Sequence, residues 1–190
     1  MNNNFDFLAG PAEEVAPRLL GCHIIRKVGG KTLVGRIVET EAYHQTDAAS
    51  HSYRGQTPRT KIMFGQPGHL YVYFTYGMHY CCNIVTGGEG EGSAVLIRAL
   101  EPVAGLEPMR TNRPNQPDNQ LTNGPAKLCQ AFKIDKQSNG HDLSQEPLQL
   151  IIKPALAPAK IVRTVRIGIS QAKDVPWRFY EHGNSFVSRV

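Results

Sequence analysis

Glu39, Glu41 and Tyr43 stand at alternate positions in the run Val38-Glu39-Thr40-Glu41-Ala42-Tyr43. Side chains of a strand alternate between its faces, so two carboxylates and a phenol would share one face. A carboxylate placed this way can act as a general base, and an aromatic neighbour can wall a pocket. The same pattern also fits a solvated strand face carrying no chemistry. A sugar hydrolase using Glu39 with Glu41 is excluded on spacing. Neighbours two apart on one strand face lie only about 7 Å from each other and flank no cleft, whereas such carboxylate pairs usually come from separate elements.

The run Leu70-Tyr71-Val72-Tyr73-Phe74-Thr75-Tyr76-Gly77 adds aromatics with the same period. Leu70, Val72 and Phe74 point to one face and Tyr71 and Tyr73 to the other, where Tyr73 can meet a planar ligand. Tyrosines are good strand formers and many face a core, a reading that stays open for Tyr71. Tyr76 precedes Gly77 at a hairpin tip, where an aromatic gains little from burial. Arg98 interrupts the apolar run Ala94-Val95-Leu96-Ile97-Arg98-Ala99-Leu100 and needs an anion, with Glu41 a candidate, unless it snorkels off a sheet edge. His51 sits in Ala48-Ala49-Ser50-His51-Ser52, where a capped loop histidine is the plain alternative.

These residues need a scaffold, and 190 residues suit one domain over 1–190. Hydrophobic content of 41% and charged content of 19% are ordinary for a globular chain, and no apolar run is long enough to cross a bilayer. Met1 to Phe7 lacks the features of a secretory signal, so an intracellular setting is expected, cytoplasm or nucleoid in a prokaryote. Cys22, Cys81, Cys82 and Cys129 form neither a disulfide framework nor a C-x-x-C chelate. Neither the H-E-x-x-H pair nor the zinc-deaminase signature is present, so no metal and no cofactor are expected. A net charge of +5 suggests an anionic partner, since lysine and arginine that neutralise phosphates release condensed counterions.

The periodicities predict an α+β domain with a curved, mostly antiparallel β-sheet flanked by helices, and a protruding β-hairpin. A helix is expected over Pro11–Leu20, followed by a hairpin of Cys22–Val28 and Lys31–Tyr43 about Gly29-Gly30. Ala48–Gly68 is an ordered surface loop of a length that usually serves function. A second hairpin joins Leu70–Tyr76 to His79–Thr86, and a strand covers Ala94–Leu100. Helices are expected over Val103–Arg113 and, capped by Asn123, through Phe132, with a mobile polar stretch between them at Asn112–Leu121. Leu148–Ile152, Ile161–Ile169 and Phe179–Val187 supply the remaining strands.

The ordered set RIVETEAY (Arg36 to Tyr43), ASHS (Ala49 to Ser52), TPR (Thr57 to Arg59), LYVYFTYGMHYCCN (Leu70 to Asn83), LIRALEP (Leu96 to Pro102) and GPAKLCQA (Gly124 to Ala131) resembles the alkyladenine (3-methyladenine, methylpurine) DNA glycosylase family. The resemblance continues through RFY (Arg178 to Tyr180) and SFVS (Ser185 to Ser188), and the short N-terminus is similar to bacterial members. It implies a monofunctional glycosylase of base excision repair, a monomer acting on double-stranded DNA that contains damaged purines, with no membrane partner. Such an enzyme flips 3-methyladenine, 7-methylguanine, hypoxanthine or ethenoadenine out of the duplex and leaves an abasic site. Carried over by position, Glu41 deprotonates the attacking water, and Arg98 helps to hold that water and the carboxylate. Tyr43, His51 and Tyr73 enclose the flipped base, Asn83 crowds the exocyclic amine of guanine, and Tyr76 fills the gap left in the helix. A nucleic-acid-binding module without catalysis is the rival reading.

Overall fold

In the computed structural model, residues 5–75 and 77–188 are described. A first helix, α1 (Ala12–Arg18), starts after Pro11 and carries Glu13 and Glu14 in its first turn and Arg18 in its last, matching the helix dipole at both ends. It is followed by β1 (His23–Val28) and β2 (Lys31–His44), joined at Gly29-Gly30, whose φ angles of 57° and 70° suit a tight two-residue turn. Then come β3 (Leu70–Thr75), β4 (His79–Val85), β5 (Ser93–Ala104), α2 (Leu106–Asn112), α3 (Pro125–Ala131), β6 (Leu148–Ile151), β7 (Ile161–Thr164) and β8 (Arg178–Glu181). The fold is α+β, with three helices on a curled antiparallel sheet.

Strand order is β3-β4-β5-β2-β1-β6, with β8 pairing both β2 and β7. The long β2 is the hinge of this arrangement. Along one edge it pairs with β5, and on the other it is shared, β1 taking Lys31–Arg36 and β8 taking Glu39–Glu41. One apolar cluster, drawing on α1, the central strands and α3, buries Leu19, Ile37, Leu100 and Phe132. On this same face Thr40 donates its hydroxyl to the Ala16 carbonyl at 2.9 Å, tying β2 to α1 and leaving Glu39, Glu41 and Tyr43 to the other side.

Several boundaries differ from the sequence expectation. The helix expected from Val103 begins only at Leu106, because β5 continues through Ala104 in register with Val34. Gly124, not Asn123, precedes α3, and the Asn123 side chain instead accepts a hydrogen bond from Lys127 Nζ at 2.8 Å. The stretch expected to be mobile is pinned. Arg113 donates to the carbonyls of Gln120 and Leu121, and Arg110 grips both carboxylate oxygens of Asp118. The strand expected to reach Ile169 ends at Thr164, and β8 covers only the start of the expected Phe179–Val187 strand.

The loop 45–69 is ordered by a buried polar lattice. Ser52 Oγ donates to the Gly92 carbonyl at 2.7 Å, and Thr57 and Thr60 bond to each other. Gly92 is where this loop crosses β5 most closely. A Cβ there would stand 2.6 Å from both the Phe64 ring and the Ser52 side chain, so only glycine lets the loop lie against the strand.

Candidate active site

Tyr43, near the end of β2, lines a cavity of about 410 Å³ together with His51, Tyr71, Tyr73, Asn83 and Arg98 among others. Such a volume accommodates a small planar ligand. Tyr73 and Tyr71 lie nearly parallel with centroids 5.7 Å apart, and His51 meets Tyr73 edge-on at 4.6 Å. Asn83, opposite Tyr71 in the hairpin register, donates its amide to the Tyr71 carbonyl at 3.2 Å and is only 5% exposed. Of the residues singled out in the sequence, Tyr43, His51, Tyr73, Asn83 and Arg98 line the cavity, and Glu41 lies behind it against Tyr43 and Arg98. Tyr76, expected as the wedge, lies outside the described residues.

Glu39 and Glu41 are both fully buried, and their hydrogen bonds separate them. A carboxylate offers about four lone-pair sites. Glu39 meets four donors, namely Arg98 Nε at 3.0 Å, Arg178 Nε at 2.7 Å, and Ser188 through its backbone N at 2.7 Å and its Oγ at 3.0 Å. Three of these donors crowd Oε1, and the Ser188 N–H takes Oε2. On Glu41, Oε1 receives the Ile167 N–H at 2.8 Å and faces Arg98 Nη1 at 3.2 Å, while Oε2 receives the Tyr43 hydroxyl at 2.8 Å. One acceptor site on Oε2 remains among the described residues, on the side of Tyr43, which lines the cavity, whereas Glu39 is turned toward β8 and Ser188.

Arg98 reaches both glutamates because the ladder slips beside it. Glu39 pairs with Ala99 and Thr40 with Ile97, leaving Arg98 as the extra residue of a β-bulge, a device that re-aims a side chain. Burial works against its charge, but Glu41 and Glu39 outweigh that and hold its pKa above the ordinary value. Burial, and then the adjacent Glu41, raises the Tyr43 phenol well above its usual range, so Tyr43 stays a neutral donor. Tyr73 is raised by burial and by Cys81, whose own thiol burial pushes up to about 11.

Three contributors went unread in the sequence: Arg166, Ile167 and Asp47. Arg166 is buried between Tyr43 (4.7 Å from its guanidinium carbon to the ring centroid) and Trp177 (5.4 Å). It pairs through both terminal nitrogens with Asp47 and donates to the Ala42 carbonyl at 2.9 Å. The pair thereby ties the loop holding Ala48 and His51 to the segment 166–170, on which the Ile167 amide meets Glu41. Gly168, with φ of 76°, was the available signal, since a glycine inside a strand pattern often marks a bulge or a bend that ends it.

His51 gives a pH prediction. Burial, reinforced by Arg59, lowers its pKa from 6.5 to about 4, and its Nδ1 lies 3.1 Å from the Tyr71 hydroxyl. With a depressed folded pKa, the unfolded chain binds the extra proton first. Stability is therefore expected to fall as pH drops from about 6.5 toward 4, and His51→Gln should flatten that part of the profile. Chemical denaturation of both proteins across this window checks it, and parallel profiles would refute it.

Among the described residues, no group of three or more His, Cys, Asp or Glu side chains is placed to hold a metal ion, and all four cysteines are free. No helix among them is long and apolar enough to cross a membrane. The tyrosine-walled cavity beside a buried carboxylate stands in a chain whose family match and relatives make it a DNA glycosylase, a monofunctional hydrolase of DNA repair. The family model described as Methylpurine-DNA glycosylase (MPG) matches residues 6–185, and the chain belongs to that family. It is similar to a protein of Carboxydothermus hydrogenoformans, 53% identical over 92% of each chain. Relatives in Francisella tularensis subsp. tularensis and Methanoculleus marisnigri are 47% identical over the full length of both chains and 50% identical over 92% of each, respectively. All three carry the name "Putative 3-methyladenine DNA glycosylase".

Proposed function

We propose that this chain, acting as a monomer on double-stranded DNA, receives a flipped alkylated or deaminated purine in the cavity and hydrolyses its N-glycosidic bond. The observation that carries this reading is the open acceptor on Glu41 Oε2, buried beneath tyrosines of base-stacking geometry. Water loses a proton to Glu41 as its oxygen bonds to C1′, and the C1′–N bond breaks with its electron pair leaving on the base. A purine alkylated at N3 or N7 is cationic, so it departs neutral without needing a proton, whereas uncharged hypoxanthine or ethenoadenine departs as an anion that takes its proton from solvent water. Flipping costs a few kcal/mol, less for a damaged or poorly paired base, and stacking on Tyr43 and Tyr73 returns about 1–3 kcal/mol. The substrates in this reading are 3-methyladenine, 7-methylguanine, hypoxanthine and ethenoadenine, and Tyr76 fills the gap in the helix.

Duplexes carrying single lesions, assayed for released free base and for abasic sites, test this. Free base without strand cleavage and without borohydride trapping supports the reading. Tight lesion binding with no release would make the chain a binding module instead.

Asn83 gives a further prediction. Its amide is fixed by the Tyr71 carbonyl against the cavity wall, where it would meet the exocyclic amine of guanine. Asn83→Ser opens that wall and is expected to raise excision of guanine from normal or mispaired sites by roughly 10- to 200-fold, the range that small steric differences in a pocket provide. Guanine release from undamaged duplex measures this, and an unchanged rate counts against the role.

A further inference from the structure

Glu39 takes no part in the reaction above, yet it is fully buried and four donors converge on it. One of them belongs to Arg98, whose guanidinium is held on three sides: Nε by Glu39, Nη2 by Ser188 Oγ at 3.3 Å, and Nη1 by Glu41 Oε1 at 3.2 Å. We propose that Glu39, with Ser188, is a positioning residue that fixes the plane of Arg98 so that a single nitrogen reaches Glu41 and the Oε2 acceptor stays open to water. The proposal rests on Glu41 being the base.

The physical reason lies in the shape of the two groups. A guanidinium beside a carboxylate favours a two-pronged contact, two parallel N–H···O bonds. On Arg98 the edge made by Nε and Nη2 is already occupied by Glu39 and Ser188, so only Nη1 remains for Glu41. Without that restraint Arg98 can turn its terminal pair of nitrogens onto both oxygens of Glu41 and fill the position from which a proton must be taken. Charge points the same way. Arg98 stands between two carboxylates, and Arg178 approaches Glu39 from β8, with its guanidinium 4.8 Å over the Tyr180 ring. Glu39 thus answers two cations and leaves Glu41 sharing one.

Single-turnover excision and lesion-duplex affinity are to be measured for Glu39→Gln, Ser188→Ala, Arg98→Ala and the doubles that combine each of the first two with Arg98→Ala. The expected result is a drop in the excision rate of roughly 10- to 100-fold for Glu39→Gln, the size seen when supporting partners of site residues are removed, with affinity unchanged within about twofold. In the Arg98→Ala background the same change should have no further effect on rate, because a residue acting through Arg98 has nothing left to position. Ser188→Ala removes only a hydroxyl at a half-buried position. It should give a smaller drop that also vanishes in the Arg98→Ala background, and it serves if Glu39→Gln fails to fold. Additive losses, or affinity and rate falling together, would overturn the positioning role, as would a wild-type rate in Glu39→Gln. A wild-type rate in Arg98→Ala would instead overturn the reading of the Arg98 and Glu41 site itself.

Discussion

Glu41→Gln is expected to lower the excision rate by roughly 10²–10⁴-fold, the usual contribution of general-base catalysis, while lesion-containing duplex still binds. The substitution keeps the side-chain shape. Its carbonyl oxygen can still accept from the Ile167 N–H and from Arg98, and the amide nitrogen can face the Tyr43 hydroxyl, which then becomes the acceptor. What disappears is the basic oxygen able to take the water proton. The comparison that matters is the single-turnover rate against binding anisotropy on the same lesion duplex. A rate within about threefold of wild type would remove Glu41 from the chemistry.

Asp47→Ala is expected to have the largest effect on stability, about 3–5 kcal/mol, because it strands a buried guanidinium with no counter-charge. The side chain of Arg166 is fully buried and that of Asp47 2% exposed, so water cannot stand in for the missing carboxylate. Chemical denaturation should show a lower midpoint with an unchanged slope. The double variant Asp47→Ala with Arg166→Met should recover part of the loss, since it removes the orphaned charge as well. A loss below about 1 kcal/mol would mean that the pair is not the strut between the two loops. The same variant should weaken excision, because the pair carries both the His51 loop and the Ile167 amide.

How far the sequence reaches is clearest at β2. Period-two alternation placed Glu39, Glu41 and Tyr43 on one face, and they are there, but nothing local distinguishes the two glutamates. Their difference comes from β8 and Ser188 arriving on the Glu39 side and from Ile167 arriving on the Glu41 side, partners more than a hundred residues away. Arg98 was read as needing one anion and takes two, because the bulge that turns it depends on a register slip invisible in one strand's pattern. The segment after Thr164 kept a strand-like apolar rhythm, so Arg166 and Ile167 were taken into a strand that in fact ends before them. The roles of His51 and Asn83 were not legible from periodicity at all, and came from the ordered resemblance across nearly the whole chain.

The bond between the Ser188 amide and Glu39 joins residues 149 positions apart. As the polypeptide leaves the ribosome, the hairpins, β5 and α3 all emerge before the residue that completes the Arg98 clamp. Contacts so distant along the chain form late, since closing a long loop must precede any return from it. A chain stopped short of Ser188 can therefore assemble much of the sheet and the tyrosine cavity while lacking the restraint on Arg98. In that sense the tyrosine cavity can form before the restraint proposed for Arg98 is in place.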